Sequence, residues 1–211
     1  MASRDKKNAK HLLMVEGPDD KGVVIACLNY GLPGHNIHIG DEGGYESLSN
    51  TLDALLVPGI VQEIVGVVVD ADLDVQARWT SLRDRLVKAG YAGVPDDLDP
   101  EGTIVEAEDL PKLGVWLMPD NLTGGMIEDF MTFLIPAGDA LFEHAKTVIA
   151  GLPATPARFP ANRSTKALIH TWLAWQEEPG KPMGQAITKK FFAAEGPQFD
   201  SFLSWMKRLF G

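Results

Sequence analysis

The chain of 211 residues has a single cysteine, Cys27, so an intramolecular disulfide and a cysteine-built zinc site are both excluded. No apolar run approaches the roughly 20 residues that a membrane-spanning helix needs, and no membrane partner is expected. Nor does the opening MASRDKKNAK lead into an apolar segment, so no secretory leader is expected and the cytoplasm is the expected location. Both glycine-rich phosphate loops, GxGxxG and GxxxxGK[ST], are missing, which disfavours a dinucleotide-dependent enzyme or a nucleoside triphosphatase of the P-loop kind. Positive charge is also scarce: the net charge is −10, which argues against coating nucleic acid by charge alone. What positive charge there is lies late. Residues 151–211 carry eight Lys/Arg against four Asp/Glu, a net of +4, which leaves −14 on residues 1–150. An acidic body with a mildly basic tail suits a site for cations beside a surface that tolerates phosphate, although solvated helix faces give the same pattern.

What the chain does have is 45% hydrophobic residues, enough for a sizeable core. Short β-rich runs alternate with helical stretches over the first 120 residues. His11–Val15 reads as a buried strand closed by Glu16-Gly17-Pro18, and Asp19–Tyr30 follows with a helical stripe ended by Gly31, Pro33 and Gly34. Asn36–Ile39 reads as a second strand, Tyr45–Leu56 as a helix. Glu63–Val69 (EIVGVVV) is nearly all β-branched, as a strand buried on both faces of a parallel sheet would be. A helix over Val75–Ala89 puts Trp79, Leu82, Leu86 and Val87 on one face; Thr103–Val105 and Val115–Met118 look like strands, and Met126–Leu134 looks helical. Residues 137–150, 164–178, 183–194 and 197–210 read as helices with no strand among them. The fold expected is therefore α/β, a Rossmann-like, mainly parallel sheet flanked by helices. A basic tail occupies residues 1–10, the α/β domain 11–135 and a helical C-terminal subdomain 136–211.

Ligands of open parallel sheets gather beyond the carboxyl ends of the strands. Two of the best strands end there in acids: Glu16 after the first, Asp70 and Asp72 after the third. Residues two apart in extended chain point the same way, so Asp70 and Asp72 can converge on one point, and Glu16 joins them if the first and third strands are neighbours. Three carboxylates brought together repel unless they share a cation, and hard oxygen donors favour Mg2+ or Mn2+. Asp19, Asp20 and Asp74 suit helix starts at least as well as a metal, and a lone acid at a strand end is more often a cap or turn former.

VEGPDD after an apolar strand, with VGVVVDADLD about fifty residues later, resembles the TOPRIM domain of topoisomerases, bacterial primases, ribosomal-RNA maturases and OLD-type nucleases. The resemblance covers roughly residues 11–90 and more loosely runs to 135, and GVWLMPDNLTGGMIEDFM is most similar to OLD-like proteins. It implies Mg2+- or Mn2+-dependent phosphodiester chemistry on nucleic acid, DNA or RNA, with a nuclease as the expected activity. In that pattern Glu16 is a metal ligand or proton-transfer group, and Asp70 and Asp72 are metal ligands. OLD-like nucleases hold a second metal on acids after the sheet, a role Glu128 and Asp129 can fill, with Asp120 as an alternative and helix-start preference as the bland reading. They also use a C-terminal lysine; Lys166 is the first candidate and Lys189 the second, each set against an ordinary surface lysine. Gly17 would permit a tight turn or close phosphate approach. Full-length OLD proteins join an ATPase to this domain; the present sequence holds none, so any ATPase is expected to be a separate partner, and the helical tail offers a surface for a homodimer. The alternative expectation is a module that binds metal and nucleotide or nucleic acid without cutting.

Other residues read plainly. Trp172, Trp175, Trp205, Phe191, Phe192, Phe202 and Phe210 recur at helical spacing and are expected in the core, as is Trp79. Cys27 is expected to be inert, and His35, His38 and His170 stand outside any metal-ligand motif.

Overall fold

A computed structural model describes residues 8–153 and 159–211. The basic tail therefore lies outside the described residues for all but its last three positions, and of these Lys10 pairs with Glu63 at 2.5 Å. Five strands form one sheet: β1 (His11–Val15), β2 (His38–Asp41), β3 (Ile64–Asp70), β4 (Thr103–Val105) and β5 (Lys112–Met118). Their spatial order is β2-β1-β3-β5-β4, parallel throughout except for β4, which pairs antiparallel with β5 at the edge. The first and third strands are thus neighbours, with Val15 opposite Val68, and their carboxyl ends share one edge of the sheet.

Alternation along the strands divides the core into two layers. Leu12, Met14, Val65, Val67, Val69, Val115 and Leu117 face one side, where they pack against α2 (Tyr45–Leu55) and α3 (Val75–Ala89) through Leu48, Leu52, Trp79, Leu82 and Leu86. Leu13, Val15, Val68, Trp116 and Met118 face the other. That side is covered by α1 (Pro18–Gly31) together with the helices after the sheet: α4 (Ile127–Phe133), α5 (Ala140–Ala150), α6 (Ser164–Ala174), α7 (Met183–Thr188) and α8 (Pro197–Phe210). Every regular element described in residues 136–211 is a helix, and the apolar side chains of these helices enter the same core layer as β1, β3 and β5.

The last helix shows how this comes about. α8 buries Phe199, Phe202, Leu203, Trp205, Met206 and Leu209, each side chain adding about 1.5–3 kcal/mol by leaving water. Gly66 of β3 and Gly114 of β5 lie opposite each other in the sheet, and their missing side chains leave a shallow seat for this helix. A Cβ on Gly66 would stand 3.2 Å from Leu209 Cδ2, and one on Gly114 only 2.5 Å from the same atom. The 13° stack of Phe202 on Trp205 continues the contact toward β5, where Trp116 lies 5.8 Å from Trp205.

Local chemistry sets the helix ends. Asp74 caps α3 by accepting from Ala77 N at 3.0 Å, and Gly90 closes it with φ +108°. Asp74 is thereby committed to its helix. Gly17 has extended backbone (φ −145°, ψ 180°) that any residue adopts, so the turn after β1 does not require a glycine there.

Candidate functional site

The carboxyl ends of β1 and β3 bring Glu16 and Asp70 together. Glu16 Oε1 accepts from Asp70 N at 2.9 Å, and Asp70 Oδ1 accepts from Ile127 N, in the first turn of α4, at 2.9 Å. Each side chain is thus oriented by backbone that the sheet itself positions. Two further acids enter from the helices on this face: Asp20 from the first turn of α1, 7% exposed, and Glu128 from α4, 1% exposed. Asp20 Oδ1 is buried with no hydrogen-bond partner.

The electrostatics follow from that crowding. Burial, then the charges of Asp20, Glu16 and Glu128, push Asp70 up to about 9 against an ordinary 3.8. Burial, then Glu16, Glu128 and Asp19, push Asp20 up to about 6. Glu16 is also raised, by burial first, while the Asp70 backbone N–H and the Arg78 guanidinium act against the rise. Facing these acids is the Lys166 ammonium of α6, 2.5 Å from Glu128 Oε1 and 3.6 Å from Asp19 Oδ2. Burial works against its charge, yet the bond to Glu128 and the nearby acids hold it above its ordinary value. The charges of Glu16 and Glu128 thus act on both Asp70 and Asp20; Lys166 lies against Glu128 and Arg78 acts on Glu16. Buried like charges of that kind remain ionised only if a cation joins them.

Not every expected residue is in this group. Asp72 has φ +54°, because the chain has already left the strand: its N–H donates to Gly125 O at 2.9 Å. The two-residue alternation that would align it with Asp70 no longer holds, and its exposed carboxylate pairs with Arg78. It acts on Glu16 only as a further negative charge. Asp129 Oδ2 accepts from Met126 N at 2.8 Å and so caps the start of α4. Successive helical side chains diverge by about 100°, so Glu128 enters the acidic group while Asp129 does not. Asp120 Oδ1 accepts from Leu122 N and Thr123 N at 3.1 and 2.8 Å and is occupied in its own turn. Lys189 pairs with Glu178 at 2.6 Å on the surface. Between the loop after β3 and the start of α6 lies an open cleft of about 650 Å³, bordered by Asp72, Asp74, Asp129, Asn162 and Thr165.

Asp20 and His170 carry more than the sequence reading assigned them. Asp20 was ambiguous because helix-start acids usually cap; here Gly17 is the cap residue and provides no side chain. His170 has one signal in the sequence: it follows Lys166 by four residues, which places both on one face of a helix. One ligand atom each of Asp19, Glu128 and His170 lie within 4.8 Å of one another.

Could these residues hold a divalent cation? The donors are hard oxygens, at least one of them buried without a partner, and burial, then its acidic neighbours, push Asp70 far above its ordinary range. Such a buried acidic group could hold a cation, with Glu16, Asp20, Asp70 and Glu128 as the available oxygen donors.

Fold and site together define an α/β protein with a carboxylate-rich centre at the carboxyl edge of a mainly parallel sheet. The chain belongs to the family described as "Protein of unknown function (DUF3226)", whose model matches residues 10–211. No curated protein and no solved structure matches it.

Proposed function

We propose that this protein is a divalent-cation-dependent phosphodiesterase of nucleic acid, a nuclease whose site is of the TOPRIM type. The observation that carries this reading is the meeting of Glu16 and Asp70 at the ends of adjacent parallel strands, with Asp20 and Glu128 acting on them from helices and Asp20 Oδ1 buried and unpartnered. A Glu-Gly turn after the first strand and Asp-x-Asp after its neighbour are the motifs on which the TOPRIM resemblance rests, and both stand at one edge of the sheet.

A bound Mg2+ or Mn2+ supplies Lewis-acid polarisation of a phosphoryl oxygen and lowers the pKa of water. The chain's own groups do the rest. Glu16 and Asp70, oriented through Asp70 N and Ile127 N, would hold that cation. The second carboxyl oxygen of Glu16, the one that does not accept from Asp70 N, could take a proton from attacking water. Lys166 carries the positive charge that can face a phosphate once it releases Glu128. The cleft beside the loop after β3 gives a nucleic-acid strand an approach.

The test is cleavage of labelled single- and double-stranded DNA and RNA in EDTA, Mg2+ or Mn2+, with Asp70→Asn and Glu16→Ala alongside. Cleavage that needs the metal and falls at least about 100-fold in both variants is expected, the scale on which such groups act. Equal cleavage by wild type and variants would overturn the assignment. A second reading is favoured by the Lys166–Glu128 pair, which leaves the ammonium bound to an acid: a module that binds metal and nucleic acid without cutting. Metal binding lost in Asp70→Asn, with no cleavage of any substrate, would select it.

A further inference from the structure

A second cation beside Glu16 has no part in the steps above. Arg78 stands in the first turn of α3, and its charge acts on Glu16. Its guanidinium carbon lies 3.7 Å from the centroid of the Tyr45 ring, at the start of α2. Tyr45 is itself fixed: it packs against the core layer beneath α2 and α3, and its hydroxyl donates to Ser81 Oγ at 3.0 Å. A guanidinium stacked on a ring keeps its edge N–H groups free for hydrogen bonds. Among the described residues one acceptor reaches them, the Asp72 carboxylate. The Arg78 side chain is 14% exposed and that of Asp72 55%. An ion pair with so exposed an acid contributes little to holding the arginine; packing on the ring fixes it.

Asp72 borders the cleft beside the loop after β3, together with Asp74, Asp129, Asn162 and Thr165, and the described lining of that cleft holds no lysine or arginine. A phosphate chain entering it meets negative charge until a cation is uncovered. Lys166 and Arg78 are the candidates, and what each must leave behind differs. Lys166 pairs with Glu128, whose side chain is 2% exposed, so its departure strands a buried carboxylate. Arg78 leaves Asp72, an exposed carboxylate that water solvates. Freed of Asp72, the guanidinium offers parallel N–H groups that match two phosphate oxygens.

We propose that Arg78 is a phosphate contact for the substrate strand: with the guanidinium held on Tyr45, a phosphate oxygen of the nucleic acid replaces the Asp72 carboxylate. The inference rests on the reading of the site as one for nucleic acid, and adds the residue that takes the strand. Asp72 then occupies the place of the phosphate in the free protein, so the two members of the pair act on binding in opposite senses. A pair that served the fold alone would act in the same sense at both ends.

The test is binding of labelled single- and double-stranded DNA and RNA to the full chain, by fluorescence anisotropy in EDTA and in Mg2+ over a range of salt concentrations. Arg78→Gln is expected to weaken binding by about tenfold or more, the worth of a charged hydrogen bond. Its salt dependence should also flatten, the log–log slope falling by about 0.7–0.9, the share of one phosphate. Asp72→Asn should tighten binding, and the double variant should bind as Arg78→Gln does, because the acid acts through the arginine. Thermal melts check that each variant is folded. Arg78→Lys, which keeps the charge and loses the fork, covers a failure of Arg78→Gln to fold: weaker binding with an unchanged slope is expected, and wild-type affinity would overturn the inference. Equal weakening by Arg78→Gln and Asp72→Asn would overturn it too, as would tightening by Asp72→Asn that persists in the double variant. If wild type still cleaves in a metal-dependent way in those cases, the proposed function stands. Wild type that binds no strand in either condition would overturn both.

Discussion

Asp70 concentrates the cost of the acidic centre in one side chain. It is oriented by Ile127 N through Oδ1, and burial, then its acidic neighbours, disfavour its charge. Asp70→Asn keeps that acceptor and removes the charge. In EDTA at neutral pH the variant is expected to be more stable than wild type by about 1 kcal/mol or more, which for a chain of this size raises Tm by about 2–4 °C per kcal/mol. Calorimetry checks it: a lower Tm for Asp70→Asn would show that the carboxylate is not under strain from its neighbours. Lys166→Met should act in the opposite sense. It leaves Glu128 buried, 1% exposed, without its counter-ion, at a cost of about 1–3 kcal/mol. Added Mg2+ or Mn2+ should recover part of that loss, measured by the same melts; no recovery by either ion would count against a cation position beside Glu128. Cys27, buried in α1 and pushed by burial up to about 12, should not react with thiol reagents while the chain is folded.

At the scale of elements, close helix contacts decide where the acids stand. α1, which carries Asp19 and Asp20, packs against α7 through two glycines. A Cβ on Gly184 would meet Gly22 O at 2.1 Å and Gly22 C at 2.3 Å, backbone atoms that cannot rotate away. Gly184→Ala must therefore separate the two helices. A loss of about 1–3 kcal/mol is expected from overpacking, together with weaker Mn2+ binding, because the start of α1 moves with the helix. Urea titration and metal titration of the variant measure the two effects; a variant with wild-type stability and affinity would show that α1 is free to shift without consequence. Helix ends and stripes were largely readable from sequence. Val75–Ala89 begins at its Asp74 cap and ends at Gly90, and Pro197–Phe210 begins at a Pro and buries one continuous stripe. Where the reading slipped, position on the helix explains it: Val87 is 49% exposed because it stands at the margin of the stripe set by Trp79, Leu82 and Leu86. Trp175 is 39% exposed because it follows the last turn of α6 and lies against His144 instead of the core.

For the molecule as a whole, the acidic centre predicts how stability depends on pH. Asp70 and Asp20 ionise near 3.8 in an unfolded chain, but at about 9 and about 6 in the folded one. Between those values the folded state holds more protons than the unfolded state, so stability falls as pH rises. Without divalent ion, Tm should decline from about pH 4, with the share of Asp20 complete near 6 and that of Asp70 near 9. Saturating Mn2+ should flatten the decline, and Asp70→Asn should flatten its upper part. Identical slopes for wild type and Asp70→Asn between those two limits would refute the account. Among the described residues no helix is long and apolar enough to cross a membrane, as the absence of long apolar runs led one to expect. The sequence by itself determined the α/β alternation, the buried strands and the acids that close β1 and β3, because periodicity and strand-end chemistry are local properties. Only the tertiary structure decided which acids meet. Asp72 left the group when the backbone turned to φ +54°, and Asp129 was taken by a helix cap. Asp20, Glu128, Lys166 and His170 came together from three helices whose packing on the sheet no local pattern encodes. Local sequence specifies an element and its faces; the distance between charges on different elements is set by the core that packs them.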